Sequence, residues 1–138
     1  MVMKHLTGIL VVTAIVTVLF TSCKKETDAH IPPDMSFVTG ADYTSADVTI
    51  AQGDSIHVGV VVHKTEDDLR TFNISYAYDG STTYTSGYTY TLTTAEYENF
   101  FHDHMIYSRN QAGSEKWTFT VTDRDGNVTQ KSITLTVQ

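Results

Sequence analysis

From about residue 36 onward, apolar side chains fall at every second position, and this period of two constrains the fold more than any other feature. Ile56, Val58, Val60 and Val62 alternate with His57, Gly59, Val61 and His63. Phe72, Ile74, Tyr76 and Tyr78 form a second series, Tyr88, Tyr90 and Leu92 a third, Trp117, Phe119 and Val121 a fourth, and Ile133, Leu135 and Val137 a fifth. Successive side chains of a strand point to opposite faces of a sheet, so each series predicts a half-buried strand. The positions between them are rich in threonine, which makes up 23 of the 138 residues and favours pleated backbone. Asp79-Gly80-Ser81 and the run Asp123 to Asn127 have the chemistry of tight turns between antiparallel neighbours. Six or seven short strands joined in this way predict an all-β chain folded as an antiparallel β-sandwich.

One segment departs from the period. Thr93-Thr94-Ala95-Glu96 has the spacing of a capping box, and Tyr97, Phe100, Phe101, His104 and Met105 fall at helical offsets. A short amphipathic helix over about 94–105, crossing one end of the sheets, is the expectation here.

The last hairpin carries a resemblance. Trp117-Thr118-Phe119-Thr120-Val121-Thr122-Asp123, followed by Gly126-Asn127 and a closing Thr/Val strand, resembles the end of bacterial immunoglobulin-like and PKD-like modules. Gln52-Gly53-Asp54-Ser55-Ile56 is similar to the entry of their second strand. The resemblance spans roughly residues 36–138 and implies an immunoglobulin-like sandwich of about seven strands, with the helix as an insertion.

The N-terminus is organised differently. Met1 to His5 carries a single cation, Lys4, and the 15 residues Leu6 to Phe20 carry no charge. Small residues follow at Thr21 and Ser22, the pattern of a secretory signal peptide over 1–22. An apolar run of this length falls short of the roughly 20 residues of a membrane-spanning helix. Phe20-Thr21-Ser22-Cys23 resembles a lipobox, and Lys24-Lys25-Glu26 resembles the start of many lipoproteins of the Bacteroidetes. That likeness implies cleavage before Cys23 and covalent lipid on its thiol and new N-terminus. It also gives a purpose to the lone cysteine of the chain, which has no partner for a disulfide. Residues 23–35, polar and ending in Pro32-Pro33, then read as a tether, long enough if extended to lift the body some ~35 Å from the anchor. The expected location is the cell envelope, at the outer membrane, on its periplasmic or its surface side.

Charge and motifs narrow the function. A formal net charge of −7 without a Lys/Arg cluster argues against nucleic-acid partners. A nucleophile elbow, a phosphate loop and an HExxH motif are all absent from the sequence, so catalysis is not expected. The leading expectation is a lipid-anchored binding, adhesion or accessory module whose partner is a glycan or an envelope protein. The alternative is a metal-binding envelope protein. In a sandwich of this connectivity Glu66, Asp67 and Asp68 approach Asp123 and Asp125 at one pole, and several carboxylates on tight turns suit calcium. His102 and His104 are the other metal candidates: opposed on a helix, they share a face only if the segment is extended. His57 and His63, six residues apart on one strand, lie about 20 Å apart and cannot share an ion. Tyr76, Tyr78, Tyr88 and Tyr90 are in phase with the core, which leaves Tyr43 and Tyr84 as candidates for an exposed sugar-binding ring.

Overall fold

The computed structural model describes residues 28–138, and the signal peptide and Cys23 lie outside that range. Eight strands form two sheets: β1 (Asp34–Phe37), β2 (Val48–Ile50), β3 (Ser55–His63), β4 (Leu69–Tyr78), β5 (Thr85–Thr91), β6 (Asn99–Tyr107), β7 (Gly113–Asp123) and β8 (Val128–Val137). The smaller sheet has the order β1-β3-β6 and the larger β2-β8-β7-β4-β5. All neighbours are antiparallel except β2, whose three residues run parallel to β8. The fold is an immunoglobulin-like β-sandwich, one strand richer than the sequence suggests.

The core follows the alternation. Val58, Val60 and Val62 of β3 are fully buried, as are Phe72 and Ile74 of β4, Phe119 and Val121 of β7, and Ile133 and Leu135 of β8. The turn between β4 and β5 is set by Asp79 and Gly80, both in the left-handed region at φ 52° and 76°. Consecutive positive φ values make the hairpin turn that matches the twist of its strands, and the Ser81 amide donates to the Tyr78 carbonyl to close it. The period fails at the end of β4. Tyr76 packs on Trp117, but Tyr78 is exposed and lies beneath the Arg109 guanidinium, 4.6 Å from its ring centre. Ala77, on the opposite face, is the buried residue.

The expected helix over 94–105 is not present. Only Thr94–Glu96 turns, as a single 3-10 turn, with the Glu96 carboxylate accepting the Thr93 amide and hydroxyl at 2.8 Å each. From Asn99 the chain is extended and pairs with β3 residue for residue, from Ser55↔Tyr107 to His63↔Asn99. Phe100 and His104 satisfy helical and strand spacing alike; nine paired residues on β3 favour the strand. Phe100, His102, His104 and Ile106 therefore face inward, while Phe101, Met105 and Tyr107 face outward and are exposed.

This reversal places two imidazoles between the sheets. The His102 ring stacks on Tyr88 with centroids 4.6 Å apart and lies 5.6 Å from the His104 ring. Phe72 and Phe100 complete the surroundings of His102, at 5.1 and 6.0 Å. Its Nε2 is buried with no hydrogen-bond partner among the described residues. Burial holds the His102 pKa below 6.5, with the adjacent His104 adding to the effect, and burial does the same for His104.

One carboxylate also sits inside. Glu115 of β7 is fully buried. Its oxygens accept the Arg109 amide at 2.9 Å and the Trp117 indole N–H at 3.2 Å, and Arg109 Nε lies 3.7 Å away. Arg109 follows β6 and Trp117 is on β7, so this one side chain joins the crossing from the small sheet to the large one.

The N-terminal segment is more tightly held than a tether. The amides of Ala29 and Ile31 donate to the Glu66 carboxylate at 3.3 Å, and Thr65 Oγ1 donates to the carbonyls of Ile31 and Pro32. Thr129 Oγ1 donates to the Pro33 carbonyl, and β1 begins at Asp34. The body thus reaches back to about Ala29, and much of the expected 23–35 spacer belongs to it.

Two predictions arise from the buried polar groups. Both histidines have folded pKa values below those of the unfolded chain, so on acidification the unfolded state takes up protons first. Stability should be level above about pH 6.5 and fall through pH 6 and 5. Urea midpoints measured across that range should show this slope, and the double variant His102→Phe, His104→Phe should flatten it; an equal slope in both proteins would refute the assignment. Glu115→Gln leaves one of two buried donors without an acceptor and should cost about 2–3 kcal/mol in urea unfolding. A loss below about 0.5 kcal/mol would show that the junction does not depend on this carboxylate.

Candidate functional site

The strands run between two poles. Asp28 and the start of β1 lie at the first, together with the β3–β4 loop and the β7–β8 turn. The second holds the β4–β5 turn and the β6–β7 connection. Ten residues of β4 separate them by about 30 Å.

At the first pole the backbone brings carboxylates together. The Arg124 amide donates to the Asp68 carbonyl at 2.8 Å, tying the β7–β8 turn to the β3–β4 loop. Asp28, Glu66 and Asp67 each present an oxygen, and the three atoms lie within 4.8 Å of one another. Arg124 pairs with Asp67 and lies 3.4 Å from Asp125. Despite this cation, Asp67 has a raised pKa, because burial dominates and Asp125, Asp28 and Asp123 crowd it with negative charge. Asp28 is lowered instead, chiefly by the His30 amide that donates to it.

Two of the expected carboxylates are diverted. Asp123 accepts the Asn127 amide at 2.8 Å and the Asn127 side-chain amide at 2.9 Å, closing its own turn. Asp68 is bound by Lys64 Nζ at 3.0 Å. The structure brings Glu66 and Asp67 together with Asp28 and sets Asp125 beside Arg124, and neither Asp28 nor Arg124 is among the sequence candidates. Arg124 stands between two acids in a turn, which is a visible signal of charge compensation. Nothing in the polar segment around Asp28 marks it out.

The histidine pair shares a face, as an extended segment requires. Among the described residues the pair has no third His, Cys, Asp or Glu to complete a three-donor set. His57 and His63 are apart on the outer face: His57 Nε2 is 3.0 Å from Asp103, and His63 Nδ1 is 2.6 Å from the Asn99 side-chain oxygen.

The two candidate tyrosines differ. Tyr43 is half-buried, stacked on His57 at 4.7 Å, with its pKa raised first by burial and then by a hydrogen bond to Asp103. A Cβ at Gly59 would meet its ring at 2.8 Å, so the ring covers the glycine of β3. Tyr84 is 43% exposed and free of such cover. It borders a cleft of about 440 Å³ on the outer face of the large sheet, lined also by Ala77, Ser81, Ser114, Lys116 and Thr134.

No protein-family model matches the chain. No curated protein matches it in sequence. Solved structures do share its shape. A family 123 glycoside hydrolase from Clostridium perfringens, described for glycolipid glycan hydrolysis, aligns over 77% of this chain at 8% identity with a TM-score of 0.51. A β-glucosidase from Listeria innocua aligns over 75% at 9% identity and a TM-score of 0.47, and murine CRIg over 77% at 10% and 0.41. The chain corresponds to 27% of the Clostridium chain and 16% of the Listeria one, and to 98% of CRIg. At 8% identity the likeness to the Clostridium chain is one of fold.

Proposed function

We propose that the chain is a lipid-anchored envelope protein, held by Cys23 at the outer membrane, that acts through its surface as a non-catalytic binding, adhesion or accessory module. The observation that carries this reading is where the body begins. Asp28 is five residues after Cys23, and Ala29 to Pro33 are bonded to the first pole. Five residues of chain span at most about 18 Å, so a lipid on Cys23 holds the sandwich by that pole, close to the headgroups. The second pole then points away from the membrane. The lipid itself supplies the affinity, at about 0.8 kcal/mol per buried methylene.

A second reading is favoured by the three converging oxygens of Asp28, Glu66 and Asp67: a divalent cation, calcium by its preference for carboxylates, bound at the first pole. Arg124 already offsets part of the charge there, so such a site is weak and is occupied only at extracellular levels of the ion.

Replacing Cys23 with serine should move the protein from the membrane fraction to the soluble one and abolish incorporation of a labelled fatty acid. Unchanged fractionation would end the anchoring reading. For the cation, about 10 mM calcium should raise the melting temperature of the wild type and not of Asp67→Asn. An unmoved transition in the wild type would dispose of it.

A further inference from the structure

The cleft beside Tyr84 has a composition that the core and the turns do not explain. Its floor is Ala77, which faces outward from β4 yet is only 5% exposed. Its walls bring together one exposed aromatic ring, Tyr84, the hydroxyl residues Ser81, Ser114 and Thr134, and one cation, Lys116. Pairing fixes these groups side by side, since Lys116 lies opposite both Ala77 of β4 and Thr134 of β8. The volume of about 440 Å³ lies within the ~300–1,000 Å³ range of small-ligand sites.

The electrostatics point one way. In a chain of net charge −7, Lys116, like Arg70 and Lys131, makes no ion pair with any described residue, while Lys64, Arg109 and Arg124 are paired. Three acids adjoin the cleft and all are engaged elsewhere: Glu115, between Ser114 and Lys116, points inward to the Arg109 amide and the Trp117 indole. Asp79 accepts Arg109 Nη2 and the Ser114 amide, and Asp47 accepts the Thr134 amide at 2.8 Å. A ligand entering the cleft therefore meets an apolar ring, several hydroxyls and an unpaired ammonium group.

The geometry points to a binding site for an acidic saccharide, which we propose as the ligand class of this module. The Tyr84 ring packs against the apolar C–H face of a pyranose. The hydroxyls both donate to and accept from its ring hydroxyls. Lys116 pairs with the carboxylate of a uronic acid. The cleft lies at the second pole, where β4 ends and β7 begins, about 30 Å from Asp28. It thus lies at the end of the sandwich that is remote from the membrane surface. That orientation rests on the anchoring proposed above; the chemistry of the cleft does not.

The test is titration calorimetry on the whole chain in detergent micelles, with an oligogalacturonate and a cello-oligosaccharide of equal length as probes. The acidic oligomer should bind at least about tenfold more tightly than the neutral one, a difference of about 1.4 kcal/mol. Tyr84→Ala should weaken both by about tenfold or more at an unchanged melting temperature, whereas Tyr84→Phe keeps the stacking face and the affinity. Lys116→Gln should reduce the acidic oligomer to the affinity of the neutral one. Absence of heat with either sugar at about 10 mM, equal affinity for the two, or full binding by Tyr84→Ala would each overturn the proposal. Because the titration is insensitive to what holds the chain on a membrane, its failure and a failure of the Cys23 fractionation test are separate outcomes.

Discussion

The sandwich is built on a mismatch of width. Three strands face five, and at about 4.8 Å per strand the large sheet extends roughly 10 Å beyond what the small one covers. The uncovered margin falls on the outermost strands, β5 and β2. The inward residues there are half-buried: Tyr88 and Tyr90 on β5, Val48 and Ile50 on β2. Aliphatic side chains at the wider margin of β5 would expose apolar area. Tyrosine instead keeps its ring against the core and offers its hydroxyl to a polar partner, as Tyr90 does to Glu96 at 3.0 Å. The aromatic column Phe100, His102 and His104 leans from β6 toward these rings and closes the gap. The inward tyrosines of β5 reflect one sheet being too small to cover the other.

Each pole is then secured by one arginine reaching between distant segments. Arg124 connects the β7–β8 turn to the loop after β3, and Arg109 connects the end of β6 to the turn after β4. The two arginines differ in consequence. Arg124 is itself 63% exposed, so screening by water keeps its contribution small. Arg109 is largely buried, and its backbone amide is bound by a carboxylate that sees no solvent, so the second pole is the more rigid. Ser114 and Lys116 flank Glu115 on β7, on the face opposite its inward carboxylate, and so inherit that rigidity. A ligand cleft gains most from walls that are fixed before the ligand arrives.

The legible part of the fold was the part with one dominant periodicity. The core faces of β3, β7 and β8 could be read position by position because Val, Ile and Phe alternate there with polar residues, and the Asp79-Gly80 turn because few other pairs tolerate positive φ. The segment around 94–105 misled because its apolar residues fit two periods at once, and the decision belonged to β3, forty residues away. β1 and β2, at four and three residues, are too short to carry a periodic signal. The hold on Ala29 to Pro33 was invisible for another reason: it uses backbone amides and carbonyls, which every residue offers, against Glu66, Thr65 and Thr129. Of the candidate site residues, Glu66 and Asp67 converge with Asp28, and Asp125 lies beside Arg124. Asp68 and Asp123 did not join them, because nearby donors on Lys64 and Asn127 claim their oxygens first.

The histidines show how one change of element reverses a chemical argument. On a helix, His102 and His104 would point apart and compete for nothing. On β6 they point together, which is the first requirement of a shared ligand, yet they point into the sandwich. The stacking that aligns the rings also surrounds them with Phe72, Tyr88, Phe100 and Trp117, and burial favours their neutral form. A neutral imidazole is a competent ligand in its acid–base state, but a bound cation needs further donors and room for water. Among the described residues the slot supplies no third donor. The same slot accepts a planar ring that can lose its charge, and histidine is the side chain that does so near neutral pH while still stacking as an aromatic. The pair is therefore placed where the narrow sheet needs flat rings to meet the tyrosines of the wide one.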